Sequence, residues 1–484
     1  MLFVCAACMQ KGVYGHGYGG SAIKQYECAT RVHDDFHLEI KLTYPLHGAT
    51  RQSGRYAVDI YCCTPVQLGV NQSRYPVASV LGDLTSYTRY QTPSMSFSGV
   101  LTPANQLSPL VRLRAAFSNK PLSAKQAKAM IYELRTLANI CRSRSREAGE
   151  QISQSAKDRD FPQAAGKTRE FLEQFGEVVR ELRQISGEAA HLPEDLRLAI
   201  EWADEGMSIR RELQALRLHE ETKGWDDKEA AHQAALACQK AAEEETSHRT
   251  KMGYQGIVRG ADGESAERFL RLRHSLRRWA ESAFFLSSAS SKSTYRMGRL
   301  FYGFAAALAM AFAVTTSYFS ARYLQSNTLP WALAAIMAYV LKDQIKDNLR
   351  AFFMALLPRF VADRVFLLVD AKDGNRVGST RERVNYMRPS GLPAEIRTRE
   401  RNFRTALDAA LPPDDVLHYH KEVSLDDMAL IRSHQRLEAI NEILRFDLRR
   451  WLQRMDQPRE EVQWIDGGRC KSMVANRIYE HENC

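Results

Sequence analysis

Residues 300–341 read LFYGFAAALAMAFAVTTSYFSARYL (300–324), QSNTLP (325–330) and WALAAIMAYVL (331–341). No other part of the chain is so apolar for so long. A membrane-spanning helix needs about 20 apolar residues for a hydrocarbon core of about 30 Å, and residues 298–323 meet that length. Gly298 and Gly303 suit a membrane helix, where small residues let neighbours approach. Thr315, Thr316 and Ser317 can return their hydroxyls to the carbonyls one turn earlier, and Tyr318 and Tyr323 fall where an interfacial aromatic belt would lie. The second run is shorter, and Lys342-Asp343 follows it at once. Thr328 suits an N-cap and Pro330 a first helical turn. Trp331 is an interfacial anchor, while Lys342 and Lys346 can snorkel to the headgroups. The two runs together predict a membrane-inserted helical hairpin over residues 296–345, with KDQIKDNLRAFF (342–353) as an amphipathic extension.

The flanks carry the basic residues. Arg268, Arg271, Arg273, Arg277, Arg278, Lys292, Arg296 and Arg299 precede the first run, and Lys342, Lys346, Arg350 and Arg359 follow the second. Between them stands Arg322 alone. Lys and Arg near span ends stay on the cytoplasmic side, so both flanks and both termini are expected in the cytoplasm, with membrane-anchoring roles for Arg296, Arg299, Trp331, Lys342 and Lys346. The start of the chain lacks the basic n-region and long apolar core of a signal peptide.

The remainder of the 484 residues is polar and globular in character, with a net charge of +10. Much of that excess is juxtamembrane arginine, for which anionic lipid headgroups are the simplest partner. No nucleic-acid-binding motif accompanies it, so no nucleic-acid partner is expected. Nine cysteines follow no framework, which fits reduced thiols in the cytosol.

The chain divides into five parts. Residues 1–30 are Gly- and Cys-rich without a period and read as a disordered leader. Cys5-x-x-Cys8 lacks the second pair a zinc site needs, and the glycine run at 15–20 neither follows a strand nor opens a helix. Residues 31–120 read as an α+β module: HLEIKLTY (37–44) and RYAVDIYCCTPV (55–66) alternate as strands, and VASVLGDLTSYTRY (77–90) has helical spacing. Residues 121–295 read as a helical bundle. Ser123 can cap its first helix, and Phe171, Phe175, Val178, Leu182 and Ile185 form one apolar face. After the hairpin, residues 346–484 form a C-terminal α+β domain. Asp373-Gly374 predicts a β-hairpin, residues 392–411 a helix and VLHYHKEVSL (416–425) a strand. RLEAINEILRFDLRRWLQRMD (436–456) predicts a long amphipathic helix, and Gly467-Gly468 a second hairpin. The expected fold class is therefore an α+β membrane protein.

His418 and His420 are two apart on a predicted strand and share a face. Two such imidazoles can share a metal, with a third ligand sought at His434, Asp426 or His481, but no fixed spacing points to one. Exposed strand histidines are the plainer reading, so no metal and no cofactor are expected. There is no Ser-His-Asp arrangement, phosphate loop or HExxH sequence, and no catalytic residue is named. Asp226-Asp227 and Asp426-Asp427 sit at predicted helix starts, where the helix dipole favours them.

Three stretches, SRYPVASVLGDLTSYTRYQTPS (73–94), AYVLKDQIKDNLRAFF (338–353) and EILRFDLRRWLQRMDQP (442–458) followed by NRIYEH (476–481), resemble a family of bacterial two-helix inner-membrane proteins without an assigned activity. Their order around the hairpin carries the resemblance. It implies a multi-pass bacterial inner-membrane protein with cytoplasmic domains on both sides of the hairpin, and it transfers no site residues. The expected function is an inner-membrane anchor or scaffold with cytoplasmic interaction domains. Its partners would be the lipid bilayer with anionic headgroups and a second copy meeting it through the hairpin. The alternatives are a membrane-perturbing sensor-effector of defence or stress, and a membrane-tethered metal-dependent hydrolase using His418 and His420.

Overall fold

The computed structural model describes residues 3–9, 27–34, 36–46, 54–118, 122–187, 192–254, 263–290, 293–323, 329–360, 362–370, 372, 374–394, 396–397, 415–453, 459–476 and 481–483. The chain mixes helix and sheet and forms two compact units. One comprises Met1–Thr88, Leu286–Leu430 and Ala439–Cys484, the other Arg89–Phe285 and Ile431–Glu438.

The first unit is built on β1 (Phe3–Met9), β2 (Glu27–Asp34), β3 (His37–Pro45), β4 (Gly54–Thr64), β5 (Leu84–Tyr90), β6 (Leu286–Ser290), β7 (Arg364–Asp370), β8 (Arg376–Met387), β9 (Asp415–Leu425), β10 (Ala439–Asp447), β11 (Arg459–Asp466), β12 (Arg469–Asn476) and β13 (His481–Asn483). A seven-stranded sheet runs β13-β1-β4-β9-β8-β7-β6, a four-stranded sheet runs β2-β3-β10-β5, and β11-β12 form a separate ribbon. The ribbon turns at Gly467 and Gly468, with φ of 57° and 75°, the left-handed pair that a two-residue hairpin demands.

The two larger sheets pack face to face. Along β9 the side chains alternate, so Leu417, Tyr419, Lys421, Val423 and Leu425 are buried, whereas His418, His420 and Glu422 lie on the other face and are less covered. Tyr44 of β3 meets Tyr56 of β4 with ring centroids 5.1 Å apart. Amid these apolar groups lies a buried charge cluster. Lys421 Nζ donates to Glu382 Oε1 of β8 at 3.0 Å and to Glu442 of β10. Glu442 also accepts from the Tyr44 hydroxyl at 2.7 Å and the Ser86 hydroxyl at 2.5 Å. Burial pulls the Lys421 pKa down, but Glu442 and Glu382 more than offset it and hold the ammonium above its ordinary value.

This architecture revises the expected domain plan. The N-terminal and C-terminal α+β modules are not separate, because β4 pairs along its length with β9 and β3 pairs with β10. Strand β1 falls within the expected leader and β2 begins in it and runs beyond its end; β1 lies between β13 and β4. The helix expected over 436–456 is instead strand β10 followed by a short helix, Arg449–Leu452. Ile440, Glu442, Leu444 and Phe446 are buried on alternate positions of one face, with Ala439 and Asn441 buried as well at its start, but the charged Glu442 masked that period, leaving Leu437, Ile440, Leu444, Leu448 and Leu452 to mimic a helical stripe. The predicted helix at 77–90 stops at Asp83 and gives way to β5, whose LTSYTRY sequence favours strand. The helix expected at 392–411 lies largely outside the described residues.

Between β6 and β7 the chain forms a helical hairpin, α9 (Ser293–Tyr323) and α10 (Leu329–Phe360). The helices are antiparallel: Phe301 and Phe304 both meet Phe353, with centroids 5.4 and 6.0 Å apart, and the Arg350 guanidinium lies 5.7 Å from the Tyr302 ring. Ala305, Ala309 and Ala338 are buried, in keeping with small residues that allow close helix approach. Among the described residues one helix, Arg299–Tyr323, is long and apolar enough to cross a membrane. Charged residues from Lys342 to Arg350 interrupt α10.

The second unit contains α2 (Phe97–Leu101), α3 (Pro109–Ser118), α4 (Ala124–Lys157), α5 (Phe161–Gly187), α6 (Glu194–Thr222), α7 (Lys228–Met252) and α8 (Gly263–Glu281); α1 (Val77–Asp83) belongs to the first unit. The boundary expected at 120 falls inside this helical unit. Ser123 caps α4, as the sequence predicts, and Gln126 completes a capping box with it. Leu134, Leu137 and Ile140 of α4, Phe175, Val178 and Leu182 of α5, and Leu196, Ala203 and Met207 of α6 share one core. Across α5, α6 and α7, Arg183 bridges Asp204 and Glu245 at 2.7 Å each, and Arg211 reaches the same Glu245 at 2.7 Å.

The buried lysine generates the first prediction. Lys421→Met leaves two carboxylates facing each other out of water, and breaking a buried ion pair on one side costs about 3–5 kcal/mol. Adding Glu382→Gln and Glu442→Gln removes the stranded charges and should recover part of that loss. Thermal denaturation of the single and triple variants checks this, and a triple variant less stable than the single one would contradict it.

Candidate functional site

The outer face of the seven-stranded sheet brings His418 and His420 together with a residue the sequence reading did not propose, Asp59. β4 and β9 are antiparallel, with Asp59 opposite His420 and Tyr61 opposite His418. Asp59 is thus the direct partner of one histidine and the diagonal neighbour of the other. His418 Nε2 and His420 Nδ1 each lie 2.7 Å from Asp59 Oδ1. One ligand atom from each residue falls within a mutual distance of 4.8 Å. The histidines are not the exposed strand residues expected: their side chains are 15% and 20% accessible.

The surroundings hold these rings in place. Tyr61 stacks on His418 with centroids 4.5 Å apart and planes 8° from parallel. Glu422 Oε1 sits 3.6 Å from His420 Nε2, the ring nitrogen not turned to Asp59. On one flank Tyr61, Cys63, Val416, Leu392 and Ile396 form a small apolar cluster. Burial acts to raise the Asp59 pKa, but hydrogen bonds from His418 and His420 outweigh it and hold the carboxylate well below its usual range. The hydrogen bond to Asp59 raises the His420 pKa against the effect of burial.

Two imidazoles and one carboxylate form a donor set suited to zinc or a late first-row transition ion, leaving coordination positions for water or substrate. Glu422 beside the second nitrogen of His420 follows the pattern in which an outer carboxylate fixes the tautomer and orientation of a ligating histidine.

The third ligands considered from sequence lie elsewhere. Asp426 accepts the Ala429 backbone N–H at 3.0 Å and caps the helix Asp427–Ser433. His434 belongs to the helical unit, where its Nδ1 is 2.8 Å from the Tyr132 hydroxyl. The side chain of His481 lies outside the described residues, as do those of Cys5 and Cys8. Asp59 was nevertheless visible as an anomaly, the one charged residue in the run Tyr56–Cys63. Burial pushes the thiol of Cys62, on the same strand as Asp59, up to about 12.

Of the expected membrane-anchoring residues, Arg299 is exposed on α9 and Trp331 is half-buried on α10. Lys342 lies 3.9 Å from the centre of the Tyr339 ring, and Lys346 is half-buried one turn on. The side chain of Arg296 lies outside the described residues. Comparison with known proteins finds no matching family model, no matching curated protein and no matching solved structure.

The double change His418→Ala, His420→Ala strips Asp59 of both its partners. Hydrogen bonds to a charged group contribute about 1.5–3 kcal/mol, discounted here because the carboxylate is partly solvated, so a loss of about 2 kcal/mol is expected. Chemical denaturation near pH 6 tests this; a loss under about 0.5 kcal/mol, the scale of neutral surface changes, would mean that the cluster contributes nothing to the fold.

Proposed function

We propose that the protein is a multi-pass inner-membrane anchor whose α9–α10 hairpin enters the bilayer and whose two compact units both lie on the cytoplasmic side as interaction domains. The observation that carries this reading is where the hairpin is attached. β6 and β7, the strands on either side of it, are direct neighbours, with Leu286 opposite Asp370 and Ser290 opposite Phe366. If α9 crosses the bilayer, its far end must return before residue 364, because paired strands cannot lie on opposite sides. That requirement supports α10 as the returning span, although its charge keeps it from passing as one by composition. The surface of α9 suits lipid: Leu300, Phe304, Met310, Val314, Tyr318 and Phe319 are all at least 50% exposed. A solvated helix would expose so much apolar surface only at high cost. Lys342, Lys346 and Arg299 would then lie near anionic headgroups, and the hairpin would offer the surface through which copies associate.

Reporter fusions after residues 290 and 365 should both read cytoplasm, and a fusion at Gln325 should read periplasm. Opposite readings at 290 and 365 would break both the topology and the β6–β7 pairing on which it rests.

A second reading, a membrane-tethered metal-dependent hydrolase, is favoured by the convergence of Asp59, His418 and His420. Elemental analysis of the purified full-length protein decides it. About one equivalent of a divalent transition ion, lost in Asp59→Ala, supports the metal centre, whereas metal-free protein leaves the anchor reading alone.

A further inference from the structure

Within the helical unit, α4, α6 and α8 border a groove of about 680 Å³. Five arginines line it: Arg142, Arg210, Arg217, Arg273 and Arg277. Among the described residues two carboxylates pair with them. Glu281 takes Arg142 and, at 3.1 Å, Arg277; Glu221 takes Arg217 at 3.1 Å. Arg210 and Arg273 have no carboxylate partner among the described residues. Folding has gathered like charges into a concavity, where low-dielectric walls focus their field. The repulsion is legible in the groups themselves. Burial, Arg277 and Arg210 push the Arg142 pKa down to about 9, and burial with Arg277 and Arg273 lowers that of Arg210.

The walls are aromatic as well as charged. Trp202 and Trp279 stand edge to face with ring centroids 5.7 Å apart, and Trp202 is 40% exposed. Gln214, 5% exposed, also borders the groove, with its unpartnered side-chain Nε2 turned toward Gly149 of α4. Guanidinium forks match phosphate oxygens in pairs, an exposed indole offers a face on which a base can stack, and the volume lies within the usual range for small-molecule sites.

We propose that this groove binds a nucleoside polyphosphate, its phosphates held by Arg210 and Arg273 and its base against Trp202. Arg273 and Arg277 belong to the basic run that the sequence alone assigns to lipid headgroups; here they face a site that a headgroup phosphate, lacking a base, would only half fill.

The test uses full-length protein in a neutral detergent, titrated calorimetrically and by tryptophan fluorescence with ATP, GTP, tripolyphosphate and adenosine, and separately with phosphatidylglycerol vesicles. ATP or GTP should bind and quench fluorescence, with tripolyphosphate about tenfold weaker and adenosine weaker still. The double variant Arg210→Gln, Arg273→Gln should lose about tenfold or more in nucleotide affinity, on the scale of charge-assisted hydrogen bonds. Trp202→Ala should weaken ATP but not tripolyphosphate. Since Arg210 and Arg273 hold no carboxylate partner among the described residues and repel one another, the double variant should melt at or above the wild-type temperature, and nucleotide should raise the melting temperature of the wild type alone. The proposal is overturned by wild-type protein that binds neither nucleotide at millimolar concentration, by equal affinity for ATP and tripolyphosphate, by arginine variants that bind as the wild type does, or by binding to the anionic vesicles in place of nucleotide.

Discussion

One lysine ties the sandwich together. Lys421 sits on a central strand and reaches a carboxylate in its own sheet, Glu382, and one in the facing sheet, Glu442. Each partner is 3% exposed or less at the side chain, so none can turn to water for an alternative. Apolar residues at these positions would tolerate sliding of one sheet over the other, because dispersion and hydrophobic burial have no preferred direction. A charge with two fixed partners does not. Whether such a group adds net stability over a packed apolar core is a separate matter; what it fixes is register.

Register decides what the outer face displays. On β9 the inward and outward residues alternate one by one, so the strand position that buries Lys421 is the one that sets His420 opposite Asp59 and His418 beneath Tyr61. A slip of one residue would drive the imidazoles into the core and expose the lysine. The buried cluster and the candidate metal centre are thus two faces of one pairing. The arginine groove has the opposite origin. It lies in a unit whose helices elsewhere pair buried charges with one another, as Arg183 does with Asp204 and Arg211 with Glu245, whereas Arg210 and Arg273 meet no carboxylate among the described residues.

The legible parts of the fold were those whose local pattern agrees with the tertiary environment. HLEIKLTY, RYAVDIYCC and VLHYHKEVSL alternate and are strands; Gly374 and Gly467-Gly468 turn the chain where their freedom predicts; Ser123 caps α4. Reading failed where long-range partners overrode local signals. Glu442 looks like a solvated residue until Lys421 appears beside it from a strand 21 residues earlier, and with its role hidden the strand reads as a helix. Asp59 was separated from its histidines by 359 and 361 residues, and no periodicity spans such a gap. Arg273 and Arg277 were visible as a basic run, but which side of α8 meets α4 and α6 depends on packing that composition does not encode.

The pairing of β3 with β10 has a consequence in time. Tyr44 and its partner Glu442 are 398 residues apart in the chain. At about 5–20 residues per second of synthesis, β3 waits on the order of 20–80 s for its neighbour. During that interval the early strands are unpaired edges beside nascent apolar surface, the condition in which chains aggregate. The helical unit, whose contacts are more local, can close while they wait. The sandwich is therefore the last part of the molecule to form, because the strands that complete both of its sheets are among the last to be made.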